Sequence, residues 1–240
     1  MSRKSSSKPP SPFRYFNSSP EIIRLVVLVY VRFPLLLRNV EDLLFERGID
    51  FCHETVRFWL NRFGPMFAGE VRRRRVNGLR GLRHGKWHLD EMFVKINGET
   101  HYLWRAVDHE GEILESYVTK TREKKAALAF MKKTLKRHGS PASIVTDGLK
   151  SYRAALRVLG APNKQVIGRH ANNIVENSHL PLRRRERAML RFRRMKSLQK
   201  FASVHANVHN HFSSERHIVD RQTYKQRRSA ALAERRQLAS

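Results

Sequence analysis

The sequence predicts an α/β fold, a mixed sheet flanked by helices, preceded by a small all-α helix-turn-helix unit. Three observations carry that expectation. Asn97-Gly98, a strong hairpin signal, parts two stretches of strand composition, Trp87–Ile96 and His101–Asp108. Helical and strand-like stretches then alternate from residue 121 to 167. Ahead of the strands, two short amphipathic helices flank Gly48.

Residues 1–19, rich in Ser and Pro with scattered positive charge, read as a flexible basic arm. Ser19-Pro20-Glu21 is a helix start: a cap, a proline in the first turn and an acid at the positive dipole end. That helix runs to about Arg32, where Phe33-Pro34 interrupts it. A second helix over Asn39–Arg47 buries Val40, Leu43 and Leu44 and stops at Gly48. A third starts near His53 with Val56, Leu60 and Phe63 as its apolar stripe, and presents Glu54, Thr55, Arg57 and Asn61 outward. Residues 20–66 are thereby a helix-turn-helix candidate, with Thr55, Arg57 and Asn61 facing DNA. Residues 67–84 read as a basic linker, in which Arg72, Arg73, Arg74 and Arg75 lie along phosphates before Asn77-Gly78 and Gly81.

From residue 85 to 212 the texture is that of a second domain. After the hairpin, Glu110-Gly111 offers a turn and Ile113–Thr119 a third strand. Thr121 opens a helix with Ala127, Phe130, Met131 and Leu135 inward, closed by Gly139 and Pro141. Ala142–Thr146 is a short fourth strand, Leu149–Leu159 a helix stopped by Gly160, and Lys164–Ile167 a fifth strand. A long basic helical region follows, which Pro181 should kink or break. Three meandering strands, then helix, strand, helix, strand, helix, is the element order of an RNase H-like domain. Trp59, Trp87 and Trp104 are expected in the core, and residues 213–240 form a basic tail.

Forty-eight Lys and Arg against 21 Asp and Glu leave a formal charge of +27. Such a surface calls for a polyanion, and nucleic acid is the expected partner. Arg183–Lys196 concentrates the charge, with seven Arg and one Lys in 14 residues, so Arg183, Arg184, Arg187 and Arg191 are expected on a helix that contacts phosphates. The single cysteine, Cys52, excludes an internal disulfide or a cysteine-pair zinc site and is expected as a small packing residue. His205, His209 and His211 lack a Cys or acid to complete a zinc set. The apolar run Ile22–Leu37 is interrupted by Arg24 and Arg32 and too short to span a bilayer. No membrane and no small-molecule substrate is expected, and a reducing, cytoplasmic, nucleoid-associated setting fits.

The chemistry is sought in acids placed where they cost stability. Magnesium takes oxygen ligands, so phosphodiester chemistry needs carboxylates converging from different elements. Asp90 shares a strand face with Met92, Val94 and Ile96, where an unpaired carboxylate demands an arginine or a metal. Glu91 points to the opposite face and ranks second. Asp147 ends the fourth strand, where active sites of open α/β sheets collect, although an aspartate there is also an ordinary helix cap. Glu176, three residues after Asn173, resembles a capping box, yet Arg183 lies two turns along the same face, where it could hold a phosphate.

These residues carry a resemblance. The stretches WHLDEMFVKINGETHYLWRAVD, IVTDGLKSY, NNIVENSHLPLRRRERAMLRF and MKSLQKFASVHANVHNHF, with the N-terminal helices, resemble DDE transposases of the insertion-sequence-six family over roughly residues 20–228. The family's three acids fall on Asp90, Asp147 and Glu176, and the basic residue after them on Arg183. The resemblance implies an RNase H-like core and two Mg2+ or Mn2+ ions. It also implies binding to terminal inverted repeats and to target DNA, strand cleavage and transfer through cointegrates, and a bacterial source. Strand transfer on two ends implies a homodimer or higher oligomer. Two departures stand out: only 28 residues separate Asp147 from Glu176, fewer than is usual in the wider superfamily, and Gly148 occupies a place where many relatives carry lysine. The rival expectations are a catalytically inactive transposase-derived repressor and an RNase H-like nuclease that cuts without joining.

Overall fold

The computed structural model describes residues 11–78, 85–168, 172–212, 221–235 and 238. Ser19 caps α1 (Pro20–Arg32), its hydroxyl accepting from the Ile22 amide at 3.3 Å, and Phe33 leaves the helix in extended conformation ahead of Pro34. α2 (Leu37–Phe45) starts two residues earlier than the pattern predicts, because Asn39 Oδ1 accepts from the Leu36 amide at 3.0 Å and closes the first turn. Gly48, at φ +71°, then turns the chain toward α3 (His53–Gly78). Cys52, expected to pack inside, is exposed just before α3, its sulfur 3.4 Å from the Thr55 hydroxyl.

α3 departs most from expectation. The sequence reads as linker from residue 67, yet the helix continues to Gly78 through Pro65 and the arginine run. Residues 79–84, the rest of that linker, lie outside the described residues. A proline inside a helix costs about 3 kcal/mol and removes one backbone bond, here the one that would reach the Asn61 carbonyl. Burial outweighs that cost. Phe63 and Phe67 are fully buried and Ala68 and Val71 nearly so, and each buried Phe is worth about 3–5 kcal/mol against truncation to Ala. Lys200 Nζ supplies the missing donor, reaching the Asn61 carbonyl at 2.8 Å.

The sheet follows the predicted order. β1 (Lys86–Ile96), β2 (Glu99–Asp108) and β3 (Ile113–Thr119) form an antiparallel meander, and Asn97 and Gly98 (φ 52° and 85°) make the expected two-residue turn. α4 (Lys124–His138) starts after the expected cap, since Thr121 instead offers its carbonyl to the Thr119 hydroxyl at 2.6 Å. It leads to β4 (Ser143–Thr146), which lies parallel to β1 over Lys86–His88 only. α5 (Lys150–Val158) and a 3-10 turn bring in β5 (Gln165–Ile167), parallel to β4. The strand order β3-β2-β1-β4-β5 is that of an RNase H-like core.

α6 (Asn173–Ala188) runs unbroken through Pro181. The single basic helix expected over 183–196 is not formed: Leu190 and Arg191, at φ 55° and 72°, end α6 and open a loop to α7 (Met195–Phe212). Arg191, Arg193 and Arg194 therefore sit on that loop. Arg185 is buried, donating to the Leu35 carbonyl at 2.8 Å beneath the Tyr30 ring. Of the basic tail, residues 221–235 form α8.

The two faces of the sheet bury different partners. Trp87, Leu89 and Trp104 pack under α4 and α5 through Phe130, Tyr152 and Leu156. Met92, Val94, Leu103 and Val118 pack on the other face with α6, α7 and the N-terminal helices. Val27, Phe63 and Phe67 belong to the same cluster, so residues 20–66 share a core with the sheet, and α7 touches both α3 and β3. Trp59 is buried with the other two tryptophans, as expected. Among the described residues no helix is long and apolar enough to cross a membrane.

Candidate active site

The register of β1 with β4 builds the site. Trp87 lies beside Ile144 and His88 beside Val145, so the chain beyond β4 brings Asp147 level with Asp90. One carboxylate oxygen each from Asp90, Glu91 and Asp147 lie within 4.8 Å of one another. Strand alternation sends Glu91 to the face opposite Asp90, and it does face that way. Tyr152 on α5 donates its hydroxyl to Glu91 Oε2 at 3.1 Å, and Arg122 stands 3.5 Å away. Since β4 pairs with β1 only as far as His88, the β1 edge beside Asp147 is open to both faces. Sequence alternation alone carries no signal for that.

Neither of the ordinary explanations for the two aspartates holds. Asp90 has no arginine partner among the described residues. Its nearest basic neighbour is His179 Nδ1 at 3.6 Å. Burial first, then Arg105 and Arg183, push that imidazole down to about 3, so it is neutral and offers no counter-charge. Asp147 does not cap α5, which starts at Lys150. It accepts from the Leu149 amide at 3.0 Å across Gly148. Gly148 sits at φ +91°, and a Cβ there would meet Ile167 Cγ2 at 3.3 Å, so any side chain at this position is strained.

Burial, then the charges of Glu91 and Asp147, push the Asp90 carboxyl up to about 7, with a smaller push from Glu176. Burial and Asp147 raise Glu91 to about 7 as well, against the Tyr152 hydrogen bond and Arg122. Three hard oxygen donors that repel one another, in a chain of net charge +27, form a set that a divalent cation would relieve.

Glu176 stands on the first turn of α6, exposed and outside that group of three. Its carboxylate makes no hydrogen bond or ion pair among the described residues, while its amide donates to the Asn172 carbonyl at 3.2 Å. The expected capping box is absent, because Asn172 caps α6 and spends its side chain on the Leu89 carbonyl at 3.1 Å. The buried Arg105, level with Asp90 on β2, donates to the Ser178 carbonyl. These two ties fix the helix turn that carries Glu176 beside β1.

The basic residues divide between two grooves. Arg57, Asn61, Arg193 and Lys200 line one of about 300 Å3 between α3 and the α6–α7 loop. Lys95, Arg183 and Arg187 line one of about 600 Å3 between β1 and α6. Arg191 lines both. Arg57 pairs with Glu54 at 2.9 Å and Arg183 with Glu186 at 2.9 Å. Arg184 is exposed beside them, whereas Thr55 is half-buried. Arg72, Arg73 and Arg74 lie on the last turns of α3, with Arg72 half-buried and Arg74 paired with Glu70; Arg75 lies on the same helix. His205 and His209 stack inside the core, with ring centroids 5.8 Å apart, and hold no metal set among the described residues.

The family described as a DDE domain matches residues 84–215. A transposase for an insertion sequence-like element, IS431mec, of Staphylococcus aureus is 31% identical over 172 residues, 70% of this chain and 75% of that protein. The transposase for insertion sequence element IS257 in transposon Tn4003, also of Staphylococcus aureus, is 30% identical over the same coverage. An uncharacterized protein of Methanocaldococcus jannaschii is 31% identical over 80% of this chain and 84% of its own. Among solved structures, the magnesium complex of the HTLV-2 integrase catalytic core aligns at 12% identity and a TM-score of 0.40, over 59% of this chain and 93% of that one. The catalytic domain of Mos1 mariner transposase aligns at 13% identity and 0.37, over 70% and 91%.

Proposed function

This chain belongs to the DDE transposases of the insertion-sequence-six family, and from that premise we propose that Asp90, Asp147 and Glu176 hold two Mg2+ or Mn2+ ions for cutting and joining DNA. The observation that carries the reading is the convergence of Asp90, Glu91 and Asp147 oxygens within 4.8 Å, without a compensating cation beside Asp90 among the described residues. Glu91 already has Tyr152 and Arg122 as partners, whereas the Glu176 carboxylate has none among the described residues and is exposed. Glu176 is therefore the third ligand, and Glu91 adds negative charge behind the pair. Bound there, divalent cations would polarise a phosphate and favour the ionised form of an attacking hydroxyl.

The chain's own groups position the DNA. Thr55, Arg57 and Asn61 on α3 face the terminal inverted repeat. Arg72–Arg75 and Arg183, Arg184, Arg187 and Arg191 hold phosphates on the way to the acids. In the first step a water oxygen bonds to phosphorus and the element's terminal 3′-oxygen leaves, taking a proton. In the second step that 3′-hydroxyl attacks a target phosphodiester and displaces the target's own 3′-oxygen. Holding two ends at once requires at least a homodimer. Positioning and charge stabilisation supply the catalysis, as in other phosphoryl transfers.

The test is strand joining in vitro with the element's terminal DNA and Mg2+, comparing the natural chain with Asp147→Asn. Joined product from the natural chain alone, lost on chelation, is the expected result. Tight binding of the ends by both proteins with no cutting by either would replace the enzyme with a repressor.

A further inference from the structure

Just past the acids, the groove between the β1 edge and the C-terminal half of α6 holds two exposed apolar side chains among cations. Phe93 is 51% exposed and Leu190 81% exposed, with Lys95, Arg183, Arg187 and Arg191 around them. Lys95, Arg187 and Arg191 make no ion pair among the described residues, and the one acid present, Glu186, is engaged by Arg183. Four cations against one acid argue for a polyanion rather than an apolar protein surface.

The two apolar groups are held in place rather than merely left outside. The Phe93 ring meets Tyr102 edge-on, with centroids 5.6 Å apart, and the Arg122 guanidinium lies 5.7 Å from its centroid. Even with these two contacts the ring keeps about half of its surface exposed. Leu190 follows the last residues of α6 at φ 55°, a position that glycine ordinarily fills, and Arg191 repeats the left-handed conformation at φ 72°. Strain of this kind at a branched side chain, pointed into a charged groove, marks a functional constraint. Phe93 lies three residues along β1 from Asp90, and Arg183 lies two turns along α6 from Glu176. The groove is thus the next stop for a strand whose phosphate rests at the acids.

Resting on the DNA-processing role above, we propose that this groove is a subsite for one unpaired nucleotide beside the phosphate that is cut. The base stacks on Phe93, its phosphate lies between Arg187 and Arg191, and Leu190 fills the gap left in the duplex. A base inside a duplex has both faces covered, so the partner that suits an exposed ring beside the cut phosphate is a nucleotide taken out of the stack. A leucine beside it acts as a wedge of the kind that parts base steps.

The experiment compares, in chelator, the affinity of the full chain for a blunt duplex and for the same duplex with one mismatched, frayed terminal pair. The natural chain prefers the frayed DNA about tenfold, the scale of one base–aromatic stack. Phe93→Ala brings the ratio to about one, and Phe93→Trp restores it. Leu190→Gly relieves the backbone and raises the melting temperature, yet lowers the ratio, so misfolding cannot account for the loss. Arg57→Ala weakens both DNAs alike. Equal binding of the two DNAs by the natural chain, or equal loss on both in Phe93→Ala, overturns the subsite. Because no cutting is measured, a preference that depends on Phe93 upholds the subsite even if strand joining fails, and the reverse outcome is equally readable.

Discussion

Asp90 and Glu91 are neighbours on β1 that look onto two differently built faces of one sheet. The Glu91 face is local. The cluster that covers it comes from residues 87 to 161, and Glu91 meets there a tyrosine hydroxyl and an arginine. The Asp90 face is assembled from the length of the chain, with side chains from Phe13 to Leu238 in one cluster, and among the described residues the one basic group Asp90 meets there is a neutral imidazole. The contrast separates an acid that is held from an acid that is left wanting. The wanting one depends on elements far away in sequence.

The largest effect that tests this contrast is catalytic. Asp90→Asn or Asp147→Asn should lower strand joining by roughly 10^3-fold or more while DNA binding persists. Glu91→Gln should cost only about 10- to 100-fold, as for groups that orient or charge a metal ligand. A loss from Glu91→Gln as deep as that from Glu176→Gln, measured side by side, would mean that both faces ligate the metal.

The next effect is on stability. Phe63→Ala removes a fully buried ring of the long-range core, at about 3–5 kcal/mol. With the core shared, denaturant unfolding followed by tryptophan fluorescence and by circular dichroism should give one coincident, shifted transition. A second transition left untouched would show that the N-terminal helices fold apart from the sheet.

A smaller effect is linked to pH. The Asp90 carboxyl ordinarily titrates near 3.8 and stands at about 7 in the fold. The fold therefore favours its protonated form, and the cost of ionising it is absent in acid, grows as pH rises from about 4 to 7, and is complete above. Without metal, Asp90→Asn should melt a few degrees higher than the natural chain at pH 8 and at the same temperature near pH 4. It should also lose the rise in melting temperature that Mg2+ gives the natural chain. Equal melting of the two proteins at pH 8 would remove the electrostatic cost assigned to Asp90. The smallest effect is that of Arg187→Ala, which should make the salt dependence of DNA binding shallower by about one in log–log slope.

The same divide between local and distant explains what could be read from residues alone. The strand meander, its Asn97-Gly98 turn and the alternation through β5 are written in short stretches, and they stand as expected. The approach of Asp90 and Asp147 to one another was legible because one interrupts an apolar strand face and the other ends a strand. The approach of Glu91, the second-ranked acid, to Asp147 carries no such signal, because it depends on how few residues of β4 pair with β1. The passage of α3 through Pro65 was missed for a related reason. Its offsetting partners, Lys200 and the α7 face, lie some 140 residues away. The loop that replaces the basic helix at Leu190 gave no sign either, since leucine and arginine seldom adopt the left-handed conformation they hold there.

Because the helices proposed to read the element's ends are laid down around the same core as the sheet, the two are inherited as one piece. A graft of residues 20–66 from a relative would arrive without the α7 surface that Phe63 and Phe67 pack on. New end specificity is then reached by single changes on the outer side of α3, at Arg57, Asn61 or Arg62, and not by exchange of modules. A chimera exchanging only those helices should fold only when α7 travels with them.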